Sequence, residues 1–346
     1  MNSFDLIDKV KEEKKIKEIL PRNLSWLLLN YTANLMAEFY EMQSTFLSGI
    51  YKRYKSIETA NIILCLAKEM HLQIMRQRER NMNHDISLDN FWNNFNNISR
   101  PTQKIVYISN MTGIPKETTR RKIKRLMNQN FVLLNKKNKE YYWNLLSKHQ
   151  DDYYKIVTNE IEMLAKFTST CASGLKLEID KNAIINEIKS QFSFYWYHFL
   201  NHQLKWLKMW QDKIKDIDLI LIALQAVIPT LQYADRNQNI KDVGLNNLHA
   251  IIGKTNNQYK FSDAAVSAAS ISEVTGIPRA TCIRKLEVLV KLGMLVREIK
   301  TKRYFVNQIT SKRTNTILTK ENVNFTIQNF SEYLVVILNS INRPNK

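Results

Sequence analysis

The chain has 346 residues, of which 44% are hydrophobic, and its 51 Lys and Arg exceed its 32 Asp and Glu by 19 charges. Enough apolar side chains are present for a folded core, so a disordered tail is excluded, and the positive charge indicates a polyanionic partner. The cysteines Cys65, Cys171 and Cys282 lie far apart in the sequence, which excludes a disulfide framework and a zinc ribbon.

The N-terminal region, residues 1–98, has the periodic apolar positions of amphipathic helices, most clearly in the stretch that starts at Phe46. Only seven glycines and six prolines occur in the whole chain, which leaves few turn signals for a many-stranded sheet. No run of 18 apolar residues is present, and the first residues are too charged for a secretory signal. We therefore expect a mainly α, cytoplasmic protein without a membrane segment.

The next segment, residues 99–148, has the pattern of two short helices followed by a hairpin, and we call it the first module. Thr102 is placed to cap the first helix, which Gly113 ends, and the second helix begins at Pro115, where the missing N–H is harmless. Residues 131–143 consist of two apolar runs around a polar tip with three lysines and predict a two-strand hairpin. The apolar faces of the helices consist of Ile105, Ile108 and Met111, and of Ile123, Leu126 and Met127.

The central region, residues 149–260, contains the densest aromatic cluster of the chain. Six of the eight residues 192–199 are Phe, Tyr or Trp, and Trp206 follows on the same predicted helix. A ligand pocket or a membrane-facing patch would use such residues, but a helix buried at the junction of the two halves of the chain is the more common case. His198 and His202 have the i, i+4 spacing of metal ligands, yet no carboxylate stands between them, so we expect a structural role.

The second module, residues 261–310, repeats the first. The tetrapeptide TGIP starts at Thr112 and occurs again 163 residues later. A comparison without gaps of residues 108–144 with residues 271–307 finds 14 identical positions among 37, which indicates an internal duplication. The C-terminal helix, in residues 311–346, corresponds to the helix that follows the first module.

The two copies read ISNMTGIPKETTRRKIKRLMNQNFVLLNKKNKEYYW and ISEVTGIPRATCIRKLEVLVKLGMLVREIKTKRYFV. Both resemble the winged helix-turn-helix domains of bacterial transcription regulators of the MarR-like and IclR-like kind. The resemblance covers about 100 of the 346 residues. It implies two winged helix-turn-helix modules, each with a short β-hairpin wing, embedded in helical regions, and a role in binding DNA.

The resemblance assigns the DNA contacts to the second helix and the hairpin tip of each module. With Thr119 pointing inward, a rotation of about 100° per residue turns the basic side chains of that helix away from the core. Arginine suits guanine or phosphate, whereas the residues at the helix start and the tip lysines suit phosphate. In the first module the expected contacts are Lys116, Thr118, Arg120, Arg121, Lys124, Arg125, Lys136, Lys137 and Lys139. In the second module they are Arg279, Thr281, Arg284, Lys285, Lys300, Lys302 and Arg303.

The positive charge is concentrated in the two modules. Residues 100–149 contain twelve Lys or Arg against two Asp or Glu, and residues 264–307 contain eight against three. A coding bias toward lysine would spread the charge evenly along the chain. The concentration therefore favours DNA over a compositional origin.

The second helix of the second module has fewer polar and basic side chains to contact a DNA groove than the second helix of the first module. Four of its five outward positions are apolar or acidic, namely Ala280, Ile283, Glu287 and Val288. Two interpretations remain open. Either the second module reads a different half-site, or it binds protein through Ile283 and Val288.

Together these patterns predict a sequence-specific double-stranded-DNA-binding protein that regulates transcription in the cytoplasm, associated with the nucleoid. The two modules would act as an intramolecular pseudo-dimer in a monomer, or within a homodimer. No motif supports an enzyme, a cofactor or a metal site. The alternatives are a plasmid-type replication initiator with two winged helices and an adaptor whose winged helices contact protein.

Overall fold

The computed structural model describes residues 18–30, 32–145, 147–236, 260–307 and 320–342. Within these ranges the chain is mainly α, as expected, with 13 α-helices and two antiparallel hairpins of two strands each. The remaining residues, which fall in all five predicted segments, lie outside the described residues. The helices are α1 (Pro21–Asn30), α2 (Thr32–Tyr54), α3 (Ile57–Arg80), α4 (Leu88–Asn94), α5 (Ile105–Thr112), α6 (Lys116–Asn128), α7 (Ser147–Gly174), α8 (Lys181–Ser190), α9 (Phe192–Lys213), α10 (Asp218–Arg236), α11 (Ala268–Thr275), α12 (Arg279–Lys291) and α13 (Lys320–Ile341). The strands are β1 (Val132–Asn135), β2 (Glu140–Trp143), β3 (Leu295–Arg297) and β4 (Tyr304–Val306).

The turn between the two helices has the same hydrogen bonds in both modules. The hydroxyl of Thr112 donates to the carbonyl oxygen of the residue four positions earlier at 2.8 Å, and that of Thr275 does the same at 2.6 Å. Gly113 and Gly276 both follow with a φ of +72°, a left-handed conformation that glycine adopts without strain. The repeated TGIP sequence thus encodes one repeated turn.

The hairpins are attached to the helices in the same way in both modules. The amide of Asn144 donates to the carbonyl oxygen of Asn130 at 2.8 Å, and that of Asn307 donates to Gly293 at 2.9 Å. β1 pairs with β2 and β3 with β4, as the sequence predicts. Each hairpin also accepts a third short segment, through Gln103 in the first module and Val266 in the second, which the sequence pattern did not predict.

The predicted cap of the first helix is wrong. α5 begins at Ile105, after Lys104, so Thr102 lies two residues too early to cap it. The Thr102 hydroxyl instead donates to the carboxylate of Glu140 on β2 at 2.5 Å. Thr102 therefore stabilises the attachment of the hairpin rather than the start of the helix.

The two halves of the chain pack on each other in a reciprocal pattern. α2 packs against α10, and its counterpart α9 packs against α3. In the same way α11 of the second module contacts α2, whereas α5 of the first module contacts α9. α1 packs against α13, and α8 against α7. Each module is therefore held in part by helices of the other half.

The aromatic helix α9 lies at this junction, as the sequence predicts. Trp196, Phe199 and Trp206 are almost fully buried, and the ring of Phe199 packs edge-on against Phe46 of α2. α9 contacts α3 and α5 of the first half and α13 of its own half. One continuous apolar core consequently includes residues of all five predicted segments.

The glycine turn of each module packs against the aliphatic part of a lysine side chain from the other half of the chain. A Cβ added at Gly276 would lie 2.7 Å from Cγ of Lys52, and one added at Gly113 would lie 3.2 Å from Cγ of Lys208. The Lys208 ammonium also donates to the carbonyl oxygen of Asn110 at 2.9 Å. The two turns therefore have little space for any side chain.

We expect Gly276→Ala to lower the free energy of unfolding by about 2 kcal/mol, more than Gly113→Ala does. Both substitutions place a side chain in the left-handed region, at a cost of about 1–2 kcal/mol, but only Gly276→Ala also displaces a lysine stem from 2.7 Å. Urea unfolding of the two variants checks the order. Equal losses of unfolding free energy in the two variants would mean that the close approach of Lys52 to Gly276 has no cost.

Candidate nucleic-acid interface

The second helix of the first module, α6, has one buried and one basic face. Thr119, Ile123 and Leu126 are buried, and the Thr119 hydroxyl donates to the carbonyl oxygen of Ile114 at 3.1 Å. The inward position assumed for Thr119 is therefore confirmed. Five cations of the predicted contact set are exposed on this helix, namely Lys116, Arg120, Arg121, Lys124 and Arg125, while Thr118 is half-buried.

Arg120 is already engaged by a neighbour on the same helix. Both carboxylate oxygens of Glu117 lie 2.6 Å from a guanidinium nitrogen of Arg120, one turn away. The two side chains are 55% and 75% exposed, so water weakens this ion pair and it contributes only a few tenths of a kcal/mol. Arg120 can exchange this partner for a phosphate or a base at little cost.

The tip of the first hairpin adds three exposed cations, Lys136, Lys137 and Lys139. The backbone N–H of Lys137 donates to the side chain of Asn135 at 3.0 Å, which closes the turn. Lys139 has a φ of +56°, and Lys302 has the same value at the equivalent position of the second module. The tip conformation is thus defined by local bonds and leaves the lysine side chains in solvent.

Lys285 of the second module, predicted to face outward to DNA, is buried instead. Its side chain is 8% exposed, and its ammonium lies 2.5 Å from the carboxylate of Asp216 and 3.4 Å from that of Asp218. The apolar positions of α12 are Cys282, Leu286 and Leu289, and Lys285 lies on the same buried side of the helix. A buried ammonium between two carboxylates cannot reach a phosphate without losing its partners.

The equivalent residue of the first module, Lys122, has a similar anchoring role. Its ammonium lies 2.7 Å from the carboxylate of Glu58 and 3.4 Å from the hydroxyl of Thr59, at the start of α3. Asp218 at the start of α10 also accepts the backbone N–H of Ile57 at 2.9 Å. Burial raises the pKa of the Asp218 carboxyl, and the charge of Lys285 and this N–H partly offset the effect. Both second helices are therefore anchored at one polar junction between the halves.

The other predicted cations of the second module are exposed. They are Arg279 and Arg284 on α12 and Lys300, Lys302 and Arg303 at the hairpin tip, while Thr281 is half-buried. Glu287, expected to point outward, is bound to its own hairpin. It accepts from Arg297 at 3.1 Å and from the hydroxyl of Tyr304 at 2.8 Å. Burial and this hydrogen bond raise the pKa of Tyr304 to about 12.

A buried polar cluster behind the first module was not predicted from the sequence. Lys68 and Glu69 of α3 are 5% and 8% exposed, and the Lys68 ammonium lies 2.9 Å from the Glu69 carboxylate. The hydroxyl of Tyr107 on α5 accepts from Lys68 at 3.1 Å and donates to Glu69. Burial lowers the pKa of Lys68, but the bonds and charge of Glu69 and Tyr107 more than offset this and raise it above its usual value. The cluster fixes α5 on α3, and the adjacent Lys-Glu pair within an apolar helix was its only sequence signal.

His202 belongs to the core packing. Its Nδ1 lies 2.9 Å from the side-chain oxygen of Asn329 on α13, and burial lowers its pKa. Among the residues that the structure describes, no group of three His, Cys, Asp or Glu could hold a metal ion. None of the described helices combines the length and apolarity needed to cross a membrane.

The site thus consists of an exposed basic helix and a basic hairpin tip in the first module and a partly apolar counterpart in the second. Comparison with known proteins adds no relative, since no family model, no curated protein and no solved structure matches the chain.

Proposed function

We propose that the protein is a sequence-specific double-stranded-DNA-binding protein that regulates transcription, with each module acting as a winged helix-turn-helix. The observation that carries this proposal is the basic surface of the first module. α6 and the tip of the β1–β2 hairpin together expose eight cations of the predicted contact set and bury the apolar side chains behind them.

The arrangement suits a duplex because the two elements have different tasks. A helix fits the major groove, where arginine forks such as that of Arg121 can bind the O6 and N7 atoms of guanine. Lysines at a hairpin tip such as Lys136 and Lys137 are point charges that suit phosphates beside the groove.

The reciprocal packing of the halves supports a pseudo-dimer. DNA-binding modules of this kind commonly act in pairs, so that two helices enter successive major grooves. Here Lys122 and Lys285 anchor α6 and α12 at one junction, where Asp218 also bonds to Ile57 of the other half. One chain therefore holds two recognition helices in a defined relative position, and a monomer in sedimentation experiments is the expected state.

Lys136→Ala combined with Lys137→Ala is expected to weaken binding to all duplexes alike. Every phosphate that the protein no longer neutralises reduces the steepness of the log–log salt dependence by about 0.9, so the double variant should have a slope smaller by up to about 2. Fluorescence anisotropy with a labelled random-sequence duplex at salt concentrations from about 50 to about 200 mM measures the slope.

The matched control replaces two exposed lysines outside the modules, Lys155 and Lys205, by alanine. This variant has the same net charge and should keep the wild-type slope. Wild-type binding without salt dependence would contradict the proposed function, whereas a slope unchanged by the tip variant would exclude the hairpin from the interface.

A further inference from the structure

At equivalent exposed positions, the second module has apolar side chains where the first module has basic ones. Ile283 and Val288 of α12 lie 163 residues after Arg120 and Arg125 of α6. Both apolar side chains are 39% exposed, and both arginines are exposed as well. Because the surrounding turn and hairpin have the same hydrogen bonds in both modules, these differences change the outer surface and leave the fold intact.

The hairpin tip shows the same change. Ile299 is 91% exposed and stands where the first module has Lys136. Single exposed apolar residues are ordinary, but here three occur at positions where the other module is basic. The module keeps exposed cations at the start of α12 and at the hairpin tip, and we call these the basic rim: Arg279, Lys300, Lys302 and Arg303.

Few hydrogen-bonding groups are left on the outer face of α12. Glu287 is occupied by Arg297 and Tyr304 of its own hairpin, so Arg284 is the main polar side chain in the middle of this face. Such a surface cannot read most base edges, which need a donor or an acceptor. The major groove offers one apolar feature, the C5 methyl group of thymine.

We propose that the second module reads thymine methyl groups in the major groove through Ile283 and Val288, while its basic rim binds the flanking phosphates. The DNA site then has two unlike halves, one recognised by the arginines of α6 and one rich in thymine. This inference rests on the proposed function.

The charge of the rim favours a duplex over a protein as the occupant. The four cations of the basic rim and Arg284 belong to the same module as the apolar side chains, and the adjacent acidic residues Glu287 and Glu298 accept hydrogen bonds from their own hairpin. A duplex presents phosphates at the edges of the groove and methyl groups on its floor, which matches a surface that combines cations with apolar side chains. A protein partner would need acidic side chains beside an apolar surface, and it is the alternative outcome of the test.

Selection of bound duplexes from a random library with the full chain identifies the site, which should contain a thymine-rich half. Each thymine of that half is then replaced by deoxyuracil, which lacks only the methyl group. We expect wild-type affinity to fall about fourfold for each methyl group contacted. In Ile283→Ala/Val288→Ala the affinity for thymine DNA should be lower and deoxyuracil should have no further effect.

The matched variant, Arg120→Ala/Arg125→Ala, changes the equivalent positions of the first module and should keep the full sensitivity to deoxyuracil. Equal sensitivity to deoxyuracil in wild type and in Ile283→Ala/Val288→Ala overturns the inference. The inference is also overturned if the selected site has one half only and Ile283→Ala/Val288→Ala binds it as tightly as wild type does. That result would leave the proposed function intact and would assign the apolar surface to a protein partner. Failure to select any duplex, with no salt-dependent binding, overturns both.

Discussion

Lys124→Glu combined with Arg125→Glu is expected to reduce affinity for duplex DNA by at least about 100-fold at about 0.1 M salt. Both side chains are exposed on the outer face of α6, where the proposed function places the phosphate and base contacts. The change removes two attractive charges and introduces two carboxylates that repel the polyanion. The effect should shrink at higher salt, because screening weakens attraction and repulsion alike.

The control has the same change in net charge at a different place. Lys155→Glu/Lys205→Glu alters two exposed lysines of α7 and α9, outside both modules. If binding depended on the total charge of the protein alone, the two double variants would lose affinity equally. We expect the control to stay within about threefold of wild type, since only long-range steering is affected. Thermal unfolding of both variants should match wild type, because all four side chains are exposed.

The sequence was sufficient to predict the glycine turn, the buried side of α6 and the two-strand hairpin, because each of these depends on short-range interactions. The hydroxyl of Thr112 reaches a carbonyl four residues away, and Gly113 ends the helix through its own φ. Such interactions repeat wherever the local sequence repeats. The same holds for the side chains that α6 buries, since one inward residue sets the direction of all others on a helix.

The error at Lys285 has a different origin. Lys285 is a basic residue on α12, and its partners Asp216 and Asp218 are 69 and 67 residues away in the sequence. The periodicity of a single helix indicates which side chains face outward, but it cannot show that the packing of α10 brings two carboxylates to Lys285. Thr102 was misassigned for a similar reason, since its partner Glu140 is 38 residues away. The specific contacts between the halves, such as that of each glycine turn with a lysine of the other half, could not be predicted from local sequence patterns either.

The buried cluster behind α5 gives the largest expected effect on stability. Glu69→Ala should lower the free energy of unfolding by about 3–5 kcal/mol, because it leaves the ammonium of Lys68 buried without a counter-charge. The side chains of Lys68 and Glu69 are only 6% and 10% exposed, so water cannot replace the lost carboxylate fully. The Tyr107 hydroxyl loses its acceptor in the same variant. Denaturant unfolding at about pH 7 measures the loss.

Two comparisons separate the buried charge from the mere loss of a side chain. Glu162→Ala breaks an ion pair with Lys181 of similar length, 2.7 Å, but with side chains that are 48% and 43% exposed, and should cost less than about 1 kcal/mol. Lys68→Met/Glu69→Leu removes both charges and should be far closer to wild type than Glu69→Ala, since no unpaired charge remains. A double variant as unstable as Glu69→Ala would mean that the cluster acts through shape or through Tyr107 alone. Because Tyr107 belongs to α5, weakening of the cluster should loosen the first module before the second, which hydrogen exchange can resolve.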